Sequence, residues 1–587
     1  MRNSILLPLI LATSLTYGCD QISPGEGDKV DTDELADVTL DDLPAELQDL
    51  IGSDLLAEMA SQDPDAVIDV IIELDSAVPE HGGEAPLLTE MINHPVHGTQ
   101  YMFNDVLGDE ADLAEHMDSH YEAVQRYADA LHDLRREVIG DFLDHNGWEA
   151  SHPAHGPAMD SLHHDVRHSM VNRDIPAFVL HNAGHLFGLH LVGEPEVAAF
   201  DAAVWTDSLD EVMTATSLDG ASAAYGGKGI SIYIHEHHCP TDAIMGGGDG
   251  SYTGGDEPRG SDDEAEHADT VGYLIANAAP DADFYCSVES GGGYFPSSTW
   301  LLDLHINTIS AGGPVWVGVT KYGGEYSRDA MTYDNNTYDY GVAHFTASGN
   351  GGGGTLAAIS TGANSISIGS WDGSNGTVAD YSSHDDSQNL FSKPEVVMHH
   401  VVSADGTVAG TSFATPLAAG LAANVLEDHA IFRKHPALLK AHLMSSAHKV
   451  SDTGGGAGYL DWQTASWGFN YLMWATGPDF EDTDLGEVFV KSSTLEANTT
   501  YRAALAWLAD GDWIREHNEL NIDLDLMVCS PSGACWAGAN RWNAWELVEF
   551  ETTEAGEYTY TIIINRREVT ALRNTVKLGL AVNAVAD

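Results

Sequence analysis

The chain has 587 residues, too many for one hydrophobic core, so three or four folded units are expected. Its 24 Lys and Arg against 91 Asp and Glu give a formal charge of −67, which disfavours nucleic acid or any other polyanion as a partner. No run of about 18 apolar residues occurs, so no internal membrane-spanning helix is expected. The acidic excess is spread along the chain and reads as a solvated surface suited to a saline medium. Structural calcium on scattered loops stays open.

Residues 1–19 have a basic start at Arg2, an apolar run from Ile5 to Ala12 and a small residue, Gly18, before Cys19. That pattern is a secretory signal, so the protein is expected to be exported. Gly18-Cys19 also resembles a bacterial lipoprotein processing site, although Thr16 and Tyr17 suit it poorly. Lipidation of Cys19 is left open and is the one membrane attachment expected. Cys529 and Cys535 flank the turn-forming Ser-Pro-Ser-Gly-Ala, and Cys239 and Cys286 each follow a predicted strand, at 230–234 and 283–285. Two disulfides are expected in an oxidising compartment.

Residues 20–61 are acidic without a strong apolar period and are expected to be a linker, with weak helices around Asp41–Ile51 as the alternative. Residues 62–206 suggest a small α+β unit. It has strands at 66–72 and 175–180, an amphipathic helix at 121–143, a short helix at 184–193 and a closing segment at 197–200. His163, His164 and His168 fall on one predicted helix, where a surface position is the default. Between residues 207 and 478, apolar strands alternate with helices and Gly-rich loops, the pattern of an α/β parallel sheet with crossover helices. From 479 to 587 helices are expected to stop, and alternating segments at 501–507, 522–528 and 557–564 suggest an antiparallel β-sandwich. Asn521, Asp523 and Asp525 share one strand face there, a solvated face by default and a calcium site as the alternative.

Four segments of the middle unit carry chemistry. Gly227-Lys228-Gly229-Ile230-Ser231-Ile232-Tyr233-Ile234-His235-Glu236 is an apolar run that leaves Glu236 at the carboxyl end of a buried strand, the edge where open parallel sheets build sites. In Glu266-His267-Ala268-Asp269-Thr270-Val271, a histidine opens an apolar helix. Ser348-Gly349-Asn350-Gly351 is a Gly-flanked asparagine after an apolar strand, able to donate its amide to an oxyanion. Gly410-Thr411-Ser412-Phe413-Ala414-Thr415-Pro416 starts a long helix whose free N–H groups favour developing negative charge at Ser412, with Pro416 in the first turn. His235-Glu236-His237-His238-Cys239 lacks the spacing of a zinc-binding helix and reads as solvent-facing loop histidines; no metal is expected there.

In this order the segments resemble the subtilase family, with its GxGVxVAVxD strand, HGTHVAG helix, AAGN loop and GTSMAxP helix. Ile366-Ser367-Ile368-Gly369 and Lys393-Pro394-Glu395-Val396-Val397 resemble two further family stretches, and the likeness runs over about 215–475. The resemblance implies a subtilisin-like doubly wound parallel sheet and an endopeptidase acting on polypeptides. Ser412 would be nucleophile, His267 base, Glu236 the orienting acid and Asn350 the oxyanion donor. Ser310, Ala311 and Gly312 would pair with substrate backbone, Gly349 and Gly351 would also bind substrate, and Gly351–Gly354 would line the first specificity pocket. The resemblance also implies an α+β propeptide, here 62–206, that inhibits the enzyme until cleavage near 205–215, and a β-sandwich after the catalytic unit. No cofactor is required for this chemistry. Glu236 stands where the family has aspartate, Ala268-Asp269-Thr270 replaces Gly-Thr-His, and Met398-His399-His400 replaces Ala-Pro-Gly. These departures leave an inactive, surface-binding relative as the rival reading.

Overall fold

A computed structural model describes residues 38–74, 100–102, 164–191, 206–286, 304–310, 326–401, 409–466, 471–476, 488–567 and 573–585, apart from short stretches within these spans, and a few positions at 140–146. The segment 1–19 read as a signal, with Cys19, the segment 197–200, most of the helix expected at 121–143, Ala311, Gly312 and Gly354 lie outside the described residues.

The first unit is built on three antiparallel strands in the order β3-β1-β4: β1 Val67–Leu74, β3 His164–Val171 and β4 Leu186–Leu191. Helices α1 Ala45–Gln48 and α2 Ser53–Ser61 precede them, and α3 Ile175–Asn182 joins β3 to β4. Ile68, Val70 and Ile72 bury one face of β1 with Leu55 and Met59 of α2 and Val179 of α3. Several expectations are corrected here. The linker assigned to 20–61 is folded from Val38 onward, because Leu43, Ile51, Leu55 and Met59 complete this core, and Gly52 N–H donates to the Leu189 carbonyl at 2.8 Å. Residues 175–180 form a helix rather than a strand. Ile175, Phe178, Val179 and Asn182 are buried at helical spacing, and Pro176 fits the first turn. Residues 186–191 form a strand rather than a helix, since they supply the second neighbour of β1. His164 and His168 lie on strand β3, not on a helix.

The second unit carries an eight-stranded sheet. Its strands are β5 Ser231–His235, β6 Tyr252–Thr253, β7 Asp283–Tyr285, β8 Ile306–Ile309, β9 Ala343–Ala347, β10 Ile366–Asp372, β11 Thr377–Val378 and β12 Val396–His399. The order is β11-β10-β9-β8-β5-β7-β6, with β12 also on β10, and every pairing but β10–β11 is parallel. This is the doubly wound arrangement expected. Helices α4 Thr206–Ala215, α5 Leu218–Ala224, α6 Asp242–Met245, α7 Asp262–Ala278, α8 Arg328–Tyr340, α9 Thr411–Asp428, α10 Pro436–Ser446 and α11 Trp462–Ala465 accompany it. Leu209, Val212 and Met213 of α4 are buried in the core of this unit, so the helix covering most of 205–215 belongs to it.

The third unit is a β-sandwich. One sheet has the order β18-β15-β20-β13-β2 and the other β14-β19-β16-β17. The strands are β2 Gln100–Met102, β13 Tyr471–Thr476, β14 Val488–Leu495, β15 Thr500–Trp507, β16 Ile522–Cys529, β17 Cys535–Gly538, β18 Trp545–Glu551, β19 Gly556–Arg567 and β20 Lys577–Ala584. Three corrections apply. Strand β2 falls within the 62–206 segment expected to be a separate α+β unit, yet it pairs with β13 at the edge of the sandwich. Strand β13 lies before residue 479 yet pairs with β20 and belongs to the sandwich. A helix, α12 Gly511–His517, interrupts the expected all-β segment because Asp510 caps it, accepting from Asp512 N–H at 3.0 Å.

The sandwich is fused to the second unit. Ala504, Ala506 and Ala581 join the core beneath α10, and a Cβ on Gly579 would come 2.3 Å from Leu438 Cα, so only glycine admits the helix this closely. Beside this contact, Arg573 is fully buried against Asp339 of α8 and the start of α12. Its Nε and Nη2 donate to the two Asp339 carboxylate oxygens at 3.0 and 2.6 Å, and Nη1 donates to Asp512 Oδ2 at 2.7 Å and Asp510 Oδ1 at 3.3 Å.

Both expected disulfides form, Cys239–Cys286 and Cys529–Cys535. The first spans a sequence separation of 47 and the second of 6. By loop-closure entropy, serine pairs at the two sites should lower the unfolding free energy by ~4 and ~2 kcal/mol respectively. Urea titrations would check that ordering; equal losses at the two sites would refute it.

Candidate active site

Strand β5 is the topological switch of the sheet, with β8 on one side and β7 on the other, and its carboxyl end is where open α/β sheets place their sites. Ile232 and Ile234 bury the strand and deliver Glu236 at that end, with its side chain 1% exposed. His267 lies on α7, in its second turn rather than at its opening. Residues 262–264 form the first turn. His267 Nδ1 is 2.8 Å from Glu236 Oε2, and both side chains are buried. Burial works against a charged ring, but the charge and hydrogen bond of Glu236 override it, so His267 titrates above its ordinary value of 6.5.

Helix α7 packs along α9 so closely that a Cβ on Gly420 would come 2.4 Å from Ala278 Cβ. Ser412 is the second residue of α9, partly exposed, behind the extended N-cap Gly410. The neighbouring Phe413 ring lies 5.5 Å from the His267 ring, centroid to centroid, which brings the serine-bearing helix start to the histidine. Pro416 is corrected to the second turn of α9, where the N–H it lacks would have bonded the Ser412 carbonyl.

Asn350 follows β9 and reaches the same helix start. Its Oδ1 accepts from Thr411 N–H at 2.9 Å and from Thr411 Oγ1 at 3.2 Å. Its amide nitrogen lies against Gly410, where an added Cβ would come 3.3 Å from Nδ2. Gly349 has φ +111°, and a Cβ there would come 2.9 Å from Ser383 Oγ, so glycine is required. Gly349 N–H donates to Thr411 Oγ1 at 3.1 Å and Gly351 N–H to Ser383 Oγ at 2.9 Å. Thr411 and Ser383 thus brace the asparagine loop, and sequence reasoning missed both. Thr411 sat within the quoted motif and could have been found; Ser383 carries no local signal.

Ser310 is buried at the end of β8. That strand is paired on both sides, by β5 and β9, and so offers no open edge over Ile306–Ile309. Two of the loop histidines expected to face solvent do not: His235 and His238 are buried, His235 against the rings of Tyr233 and Tyr333, while His237 lies outside the described residues. The strand continues through His235, and its pleat sends that ring to the α8 side of the sheet. On the sandwich, Asn521 is buried and its Oδ1 accepts from Asp510 N–H at 2.9 Å, so it does not share a solvated face with Asp523 and Asp525.

The loop after Glu236 is tied down at several points. Cys239 is bonded to Cys286 at the end of β7. Thr241 N–H donates to Asp269 Oδ1 at 2.8 Å, and Tyr252 Oη donates to the Pro240 carbonyl at 2.7 Å. A Cβ on Gly272 would come 2.5 Å from Pro240 Cβ and 2.9 Å from Met245 Sδ.

Residues 302–463 match the profile of the subtilase family, a span that holds Asn350 and Ser412. Among curated proteins no relative matches. Solved structures similar to the chain include the prenylagaramide maturation protease PagA, at 18% identity and TM-score 0.32, covering 42% of this chain and 97% of that one. The patellamide maturation protease PatA is similar at 19% identity and TM-score 0.30, covering 40% and 96%. At these scores the structural likeness adds no weight to the profile match. The sheet order is the doubly wound one that the resemblance implies, and the subtilase match falls on the part of it that holds Asn350 and Ser412.

Proposed function

We propose that the protein is an exported serine endopeptidase using Ser412, His267 and Glu236, matured by removal of its first folded unit. The observation that carries this reading is the buried 2.8 Å contact between His267 Nδ1 and Glu236 Oε2 beside the helix start bearing Ser412. In this mechanism Ser412 attacks a peptide carbonyl while His267 takes its proton, and Glu236 holds the ring and balances the imidazolium. Asn350 Nδ2 and the Ser412 N–H receive the oxyanion, a side-chain donor of this kind being worth ~3–4 kcal/mol in the transition state. His267 then protonates the leaving amine, and water resolves the acyl-enzyme. Residues 310–312 would pair with substrate backbone, with Gly349 and Gly351 also binding substrate.

The unit built on β3-β1-β4 would act as the inhibitory propeptide. Because α4 is buried in the catalytic core, the cut is expected before Thr206, not within 206–215. Labelling of the purified protein by a fluorophosphonate, abolished in Ser412→Ala, is the expected result, with the new N-terminus mapping ahead of Thr206. Absence of Ser412-dependent labelling would instead support an inactive binding protein on the same fold.

A further inference from the structure

We propose that Asp269 is a positioning residue: through the loop 238–245 it holds Glu236 within reach of His267. This rests on the catalytic reading above. Glutamate carries one methylene more than the aspartate of the family pattern, so its backbone must be held about one C–C bond, roughly 1.5 Å, further from the ring. A strand end alone leaves that distance loose. Here the strand's continuation is fastened to the histidine's own helix.

Asp269 and Gly272 lie three residues apart on α7 and therefore on one face, just beyond His267. Asp269 Oδ1 takes the Thr241 N–H at 2.8 Å. Gly272 leaves room for Pro240, whose Cβ would stand 2.5 Å from any Cβ placed there. The Cys239–Cys286 bond holds the far side of the loop to β7. The segment that follows the acid is thereby tied to the helix that carries the base. Two departures from the family pattern, Glu236 and Asp269, are joined physically by this loop.

The test compares Asp269→Ala, Asp269→Asn and Gly272→Ala with the wild-type protein, each checked for a cooperative thermal transition. Asparagine keeps the acceptor oxygen and alanine removes it. With an amide peptide substrate, Asp269→Ala should lower kcat ~10–100-fold with little change in KM, the cost of a displacement of about 1 Å at the reacting groups. The acid limb of its kcat/KM profile should move to lower pH as Glu236 loses its hold on His267. Gly272→Ala should do the same by pushing Pro240 away, and Asp269→Asn should recover most of the rate. A second readout is independent of turnover: the far-downfield proton resonance of the His267 Nδ1–H, retained in Asp269→Asn and lost or moved upfield in Asp269→Ala. An Asp269→Ala enzyme with wild-type kcat and acid limb, an Asp269→Asn enzyme as impaired as the alanine variant, or an unchanged proton resonance in Asp269→Ala would each overturn the proposal. A wild-type protein without Ser412-dependent turnover would sink the catalytic reading instead and leave the resonance to decide the brace.

Discussion

Glu236→Gln is expected to lower kcat by about 10⁴-fold with KM nearly unchanged, as the neutral isostere of the acid does in other Ser-His-acid triads. The amide can still touch the ring but cannot balance the charge His267 acquires when it takes the serine proton. The effect on pH is as informative as the rate. On the proposed mechanism His267 must be neutral to act as base, so wild-type kcat/KM is expected to rise with pH through a midpoint above 6.5, the side to which Glu236 raises the ring. Removing the carboxylate charge withdraws that support, and the midpoint moves down. A Glu236→Gln enzyme within tenfold of wild type, with an unmoved acid limb, would show that Glu236 is not the orienting acid.

The largest stability effect is expected away from the site. Arg573→Met should lower the unfolding free energy by about 3–5 kcal/mol, the usual cost of deleting one partner of a buried ion cluster. Burial opposes the guanidinium charge, and Asp339, Asp510 and Asp512 override it and keep it protonated. Without Arg573 these three carboxylates stay inside the protein with their main counter-charge gone. Adding Asp339→Asn to Arg573→Met should recover part of the loss, because one buried charge is then removed as well. Urea unfolding checks both; a single-variant loss under about 1 kcal/mol would mean that the cluster contributes little.

How much of this was legible in the sequence follows from how local each signal is. Strand β5, its terminal carboxylate and helix α9 were readable because apolar runs, Gly410 and the serine motif are contiguous. The cysteine pairs were readable because each half follows a strand or flanks a turn. The exchange of helix and strand at 175–191 was avoidable: Ile175, Phe178, Val179 and Asn182 repeat at helical spacing, but the apolar run 175–180 drew the strand reading. Asp510 before Gly511 was an overlooked cap. By contrast, no local pattern in Tyr471–Thr476 says which sheet it joins, since its partner β20 lies beyond the intervening strands of the sandwich. Arg573 meets Asp339 across a separation of 234 residues, a pairing that only the folded chain reveals. Asp269 was noticed as a departure from a pattern, but its partner, a backbone N–H, has no sequence signature.

Strand β20 fills the gap between β15 and β13, although it is synthesised after everything from 488 to 567. Until it emerges from the ribosome, one sheet is split in two, and the helix that rests on Ala581 and Gly579 lacks its floor. A nascent chain therefore holds Glu236, His267 and Ser412 long before the floor of α10 is in place. On the proposed catalytic reading, activity is expected only after the last strand has been made, so the order of translation itself would hold back premature proteolysis.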